Sequence, residues 1–182
     1  PYKITPEVFT RWCNLLQAVP DATLWLYAKS DEVIVNLKQE ATIRHVAPDR
    51  IVFARKKPQP EHLARIALAD LFLDTLPVNA HPPASDALWM GVPVLTCIGE
   101  TFAARVAASL LTASGLPDLI AADLDDYQAQ ALHLAQHPQE LAAIKQRLMT
   151  ARRTAAFFDA ARFTCNLEAI YQRIWDRHLL GL

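Results

Sequence analysis

The segment Asn79-Ala80-His81-Pro82-Pro83-Ala84-Ser85-Asp86 sets an imidazole, two prolines and a carboxylate where a loop runs into a helix. The first backbone N–H groups of a helix have no partner inside it, and the helix dipole favours negative charge there, so such a junction suits a phosphate. Proline has no N–H, and Pro82 and Pro83 therefore remove two donors that an anion would use. The helix itself loses little, because those donors would be unpartnered anyway. With the helix beginning at about Ala84, Asp86 falls in its first turn and the N–H groups of Ala84, Ser85 and Asp86 stay free for a ligand. A carboxylate at that position also interacts favourably with the dipole, so a structural role alone would account for it.

Other chemically capable residues are dispersed. His62 and Arg65 stand three apart in Glu61-His62-Leu63-Ala64-Arg65, hence on one face of a helix, and flat imidazole and guanidinium groups suit an aromatic base. Without further information that segment is an ordinary solvated face, and Lys3 a terminal surface lysine. Cys13, Cys97 and Cys165 are odd in number and widely spaced, which offers neither a disulfide framework nor a metal knuckle; buried free thiols are expected. His133 and His137 fall at i, i+4 on a Gln-rich helix before Pro138. No carboxylate or third ligand is evident beside them, so a solvated face and no metal are expected.

The elements that must position these groups alternate. Thr5-Pro6-Glu7 is a helix start with Thr5 as N-cap, and Phe9, Trp12, Leu15 and Leu16 recur at helical spacing. Apolar runs bounded by turn signals predict strands at Thr23–Ala28, Arg50–Ala54, Asp70–Asp74, Pro93–Thr96 and Asp118–Ala121, the first of them buried. Helices are predicted from Ser30-Asp31 to about His45, over Glu61–Ala69, from about Ala84 to Gly91, and from Glu100 to Gly115. From Asp125 onward the pattern is helical, broken at Pro138 and near Phe157–Asp159. Alternation with short connections predicts an α/β fold, a Rossmann-like parallel sheet with helices on both faces. Ligands of such sheets bind at the carboxyl ends of strands, so the loops over 54–62 and 75–86 are the ones to watch.

A chain of 182 residues with 52% hydrophobic and 20% charged residues and a net charge of -1 fits one globular domain over residues 1–182. The charge balance lacks the basic footprint of a nucleic-acid surface. No apolar run approaches the ~20 residues a bilayer needs and no leader pattern opens the chain, so no membrane partner and a cytoplasmic location are expected. The last helix presents Phe163, Leu167, Ile170, Tyr171, Ile174 and Trp175 along one stripe, a large apolar face that needs a cover. The chain also opens on a helix, where a doubly wound domain would open on a strand.

Taken in order, "YKITP", "LWLY", "IVFARKKPQPEHLARIALADLFLDT", "NAHPPASDALWMGVPVLT" and "GETFAARVAASLL" resemble the C-terminal catalytic lobe of the O-linked N-acetylglucosamine transferase and SPINDLY family. The resemblance runs from Tyr2 to the final helix. It implies the donor-binding lobe of a GT-B glycosyltransferase, which transfers sugar from a nucleotide to Ser or Thr of proteins, with inversion and without a required metal or other cofactor. The donor implied is a UDP-sugar, with UDP-N-acetylglucosamine (UDP-GlcNAc) expected. The acceptor protein or peptide would be held by another lobe and by tetratricopeptide repeats, which with the first strand of this lobe would lie upstream of Pro1.

Matched by position, Lys3 stands where the family has the lysine that contacts the donor diphosphate, the one residue expected to act in catalysis. A fixed ammonium there stabilises the charge that grows on the leaving group. His62 and Arg65 match residues packed on the uracil, Asp86 the aspartate that holds the ribose hydroxyls, and His81 a histidine at the diphosphate end of the site. Gly99-Glu100-Thr101 matches a family turn, although Thr101 as an N-cap would explain itself. Two departures stand out. Gln59 replaces a ribose lysine, with Lys56 and Lys57 nearby, and Pro82 and Pro83 replace two threonines that would offer hydroxyl and N–H donors. The same features suit a second reading, a non-catalytic binding or interaction module that keeps the fold. A sugar-nucleotide epimerase or lipid-linked sugar transferase shares the architecture without this set of segments.

Overall fold

A computed structural model of the chain describes residues 3–182; Pro1 and Tyr2, the start of the quoted N-terminal segment, lie outside the described residues. Helix α1 (Pro6–Ala18) begins as its sequence dictates, with Thr5 accepting from the N–H of Val8 and Pro6 in the first turn. Its far end, which has no basic residue of its own, is capped by Arg50. That guanidinium donates to the carbonyls of Leu16 and Val19 at 2.6 Å each, and to Ala22.

Two parallel β-sheets follow, flanked by helices. Strand β1 (Leu24–Tyr27) leads through α2 (Asp31–Ile43) to β2 (Ile51–Ala54), and the pair runs in register from Leu24 against Ile51 to Tyr27 against Ala54. After α3 (Gln59–Ile66) come β3 (Phe72–Leu73), α4 (Pro82–Trp89), β4 (Val94–Cys97), α5 (Val106–Ala113) and β5 (Ile120–Ala121). The second sheet has the order β3-β4-β5, with Phe72 opposite Val94 and Thr96 opposite Ile120. The single sheet expected is therefore divided: β1 and β3 each pair on one edge only. Helices α6 (Leu124–Gln136), α7 (Pro138–Ala151) and α8 (Ala160–Leu179) complete the chain.

Burial follows from where strands sit. β4 lies between two strands and under helices, and all its residues are buried, as an uninterrupted Val-Leu-Thr-Cys run requires. The expectation of a buried β1 is corrected. Leu24 and Leu26 pack on the core, but Trp25 and Tyr27 face outward with Val52 of β2, because only one face of this two-stranded sheet is covered. Gly91 and Gly115 end α4 and α5 at φ +81 and +77, the left-handed geometry that a residue with a Cβ resists. On α8 no residue is buried: Phe163, Ile170, Tyr171, Ile174 and Trp175 are all exposed, and so is Cys165. Cys13 and Cys97 are the buried thiols that the sequence led one to expect, and Cys165 is not.

One polar thread crosses the core. Trp12 of α1 donates Nε1–H to the hydroxyl of Tyr127 on α6 at 3.0 Å, and that hydroxyl donates to the carbonyl of Asp74 after β3, also at 3.0 Å. Tyr127 is 1% exposed, so neither partner can turn to water. Tyr127→Phe should cost about 1–3 kcal/mol by orphaning the indole N–H and the carbonyl, read as a lower urea midpoint at unchanged m-value.

Candidate functional site

The loop after β3 is folded around a buried carboxylate. Asp74 is 2% exposed; its Oδ1 accepts from the N–H of Thr75 at 2.7 Å and of Ala80 at 2.6 Å, and its Oδ2 from the hydroxyl of Thr96 at 2.7 Å. Burial pushes its pKa up to about 6, against the pull of these donors and of the Lys3 charge. Asn79, wholly buried, carries the loop onward. Its N–H donates to Ala103 at 2.8 Å and its amide to Thr75 at 2.8 Å, while its Oδ1 has no hydrogen-bond partner among the described residues. The carbonyl of Asn79 accepts from Lys3 Nζ at 2.6 Å. An amine from the start of the chain thus sits on the loop two residues before His81.

At the next step the structure corrects the expected helix start. His81 is the N-cap of α4, and Pro82 and Pro83 form its first turn with both rings exposed. The reason is local: a first-turn position needs no N–H, and proline already holds a helical φ. Asp86, half-buried, consequently lies in the second turn rather than the first. The free donors expected are reduced as well. Ser85 donates its N–H to His81 at 3.1 Å, and in a helix that begins at Pro82 the N–H of Asp86 is the first to meet an i−4 carbonyl within it. Of the three, that leaves the N–H of Ala84. Above this turn the His81 ring stands edge-on to Phe102 at 6.3 Å, and Phe102 is 83% exposed.

Helix α3, following β2, packs beside α4 and carries the second group. Arg65 donates to His62 Nδ1 from Nε at 3.2 Å and from Nη2 at 3.0 Å, and to the carbonyl of Arg55 at 2.7 Å. A guanidinium cannot accept, so the His62 ring proton belongs on Nε2. The same guanidinium lies 5.7 Å from the centre of the Trp25 ring. His62 and Arg65 therefore form one fixed unit, as their spacing implied. Gln59 is the first, exposed residue of α3; Lys57 beside it pairs with Glu61 at 3.1 Å.

Several participants escaped the sequence reading. Asp74 and Asn79 build the loop that bears His81, and the available signal was a lone aspartate closing the apolar strand "LFLD". Thr101 acts as the cap it could have been, accepting from the N–H of Ala104 at 3.2 Å. The expectation that His133 and His137 lack a carboxylate is overturned: Glu140 Oε2 lies 2.8 Å from His133 Nε2, because the chain turns at Pro138 and brings the start of α7 back to the end of α6.

Comparison with known proteins shows the family of the chain. Residues 1–167 match the model of Glycosyl transferase family 41. The chain is 38% identical over 99% of its length to the probable UDP-N-acetylglucosamine–peptide N-acetylglucosaminyltransferase SEC of Arabidopsis thaliana, of which it covers 18%. It is 33% identical over its whole length to the UDP-N-acetylglucosamine–peptide N-acetylglucosaminyltransferase of Caenorhabditis elegans, covering 16% of that protein. Among solved structures, the K341M mutant of the Thermobaculum terrenum O-GlcNAc transferase superposes with a TM-score of 0.88 at 33% identity, over 95% of this chain and 34% of that one. The chain thus spans less than a fifth of the length of these two curated relatives.

The raised pKa of Asp74 has a definite sign. Between the unfolded value of 3.8 and the folded value of about 6, the folded state holds more protons, so stability falls as pH rises through this window and is level on either side. The loss is of order 3 kcal/mol. Asp74→Asn keeps an oxygen for the Thr75 and Ala80 N–H groups and can donate to Thr96. Wild-type stability minus that of the variant, measured by urea unfolding, should fall across pH 4 to 6 by this amount; a difference that stays level would contradict the assignment.

Proposed function

The chain belongs to glycosyl transferase family 41, and we propose that it is the donor-binding lobe of an inverting, metal-independent protein O-glycosyltransferase. Its donor is a UDP-sugar, UDP-GlcNAc by the activity for which its relatives are named, and its acceptors are Ser and Thr hydroxyls. The observation that carries the proposal is the Lys3 amine resting on the carbonyl of Asn79, at the loop that opens α4.

In the reaction a hydroxyl oxygen bonds to the anomeric carbon as the bond to the diphosphate breaks, and the electron pair leaves with the phosphate. Lys3 keeps two N–H donors beyond the one spent on Asn79. They meet the charge that grows on the leaving group, which is work that a metal would otherwise do. The N–H of Ala84 and the positive end of α4 add to the same field. Further along α4, Asp86 accepts from the ribose hydroxyls. On α3 the locked His62–Arg65 pair offers a flat, partly covered face to the uracil. Gln59, exposed at the start of α3, is the neutral replacement for a ribose-binding cation.

The hydroxyl proton requires a base, which this reading assigns to the acceptor lobe. The acceptor lobe and tetratricopeptide repeats of the whole protein, its protein substrates and its cytoplasmic location all belong to the proposal. The uncovered stripe of α8, Phe163 to Trp175, suits packing against such a lobe.

A specific observation favours a second reading, a nucleotide-binding module without turnover. Pro82 and Pro83 occupy the anion end of α4, and Ser85 has spent its N–H on His81. Hydrogen bonds to a charged group are worth about 1.5–3 kcal/mol each, so one lost donor weakens diphosphate binding roughly tenfold to a hundredfold. Sugar transfer to a peptide by the full-length protein would exclude this module.

Calorimetric titration with UDP should show weak binding to the 182 residues, weakened about tenfold or more in Asp86→Ala. Absence of UDP binding at millimolar ligand, both here and in a longer protein containing the lobe, would overturn the proposal. Pro82→Thr with Pro83→Thr should tighten UDP by about tenfold or more. Transfer by the isolated lobe is expected to be nil, and mass spectrometry of a peptide acceptor checks it.

A further inference from the structure

Away from the α4 loop, the described residues bring together one group with the donor set of a transition metal: His133, His137 and Glu140, whose ligand atoms all lie within 4.8 Å of one another. Nothing in sugar transfer employs them. His133 lies in the last turn of α6, His137 caps that helix, and Glu140 stands in the first turn of α7, just past Pro138. The break in the helical run is what lets residues of two helices converge.

The hydrogen bonds already present resemble those of a prepared site. His137 Nδ1 lies 2.7 Å from the carbonyl of His133, a contact only a protonated nitrogen can make, so the lone pair of His137 is on Nε2. A backbone carbonyl holding the far nitrogen of an imidazole is the usual way that a metal-binding histidine is oriented. The two rings stack at 4.1 Å, side by side at the junction of the two helices. His133 Nε2 and Glu140 Oε2 lie 2.8 Å apart. Donors on one tetrahedral zinc ion, each about 2 Å from it, lie about 3.4 Å apart. Small rotations of three exposed side chains span the difference, and the ion enters without any opening of the fold.

We propose that His133 Nε2, His137 Nε2 and Glu140 form a surface site for a divalent ion of the zinc class, completed by water, and that the bound ion fastens the end of α6 to the start of α7. Two imidazoles and a carboxylate suit zinc, whereas magnesium and calcium want oxygen ligands. Asp118, nearby in the same groove, is held by Arg147 at 2.7 Å, which leaves the fourth position to water.

The test uses the metal-free protein carrying Cys165→Ser, which removes the exposed thiol as a competing ligand. Titration with zinc chloride should saturate at one equivalent and raise Tm. His137→Ala and Glu140→Gln should each weaken binding at least tenfold, since loss of even an outer partner costs about 10–100-fold, and each should lose the Tm rise. All three ligands are exposed, so both variants keep their fold, which far-UV circular dichroism verifies. Zinc uptake that is equal in the variants, or absent at millimolar zinc, would overturn the site.

Discussion

A carboxylate withheld from water organises this lobe. Asp74 draws two backbone N–H groups and a threonine hydroxyl onto its oxygens, and through them it folds the chain between β3 and α4 back on itself. Burying an ionisable group is unfavourable, and its elevated pKa records the cost. The loop thereby has a fixed course: Asn79 is pinned through its N–H and its side-chain amide, and its carbonyl is left to receive Lys3. Without that carboxylate, the amine and the start of α4 would have no common frame.

The two halves of the site obey different physics. At the α4 end of the site we propose, binding would be a matter of charge, supplied by an ammonium and a helix terminus. At the α3 end it is a matter of shape, since Arg65 is held by His62 and by the carbonyl of Arg55 and presents a plane rather than a mobile charge. A nucleoside diphosphate has a charged part and a flat part in the same order. The two ends are carried by neighbouring helices rooted on different sheets, β2 before α3 and β3 before α4.

Much of this was legible in residue types. Thr5-Pro6 announces α1, the five apolar runs mark the strands, and glycines close α4 and α5. The His62–Arg65 contact follows from helical spacing alone. What could not be read was set by distant partners. Whether Trp25 points into the core or out depends on which face of β1 is covered, and Asp74 becomes central only when Thr96, 22 residues on, is brought beside it. The helix α4 starts two residues before Ala84 because, at that position, the fixed φ of proline counts for more than its missing donor. Glu140 belongs to the next helix, and Pro138 brings it back.

The paired proline rings at the head of α4 also have a thermodynamic corollary. A loop whose torsions are set beforehand surrenders little entropy when an anion arrives, so part of the affinity forgone in missing donors is regained as order that binding need not create. Recognition by such a mouth would release less heat, and suffer a smaller entropic penalty, than recognition by flexible threonines. Two lobes of similar affinity could then differ in how steeply their hold on a ligand weakens with warming.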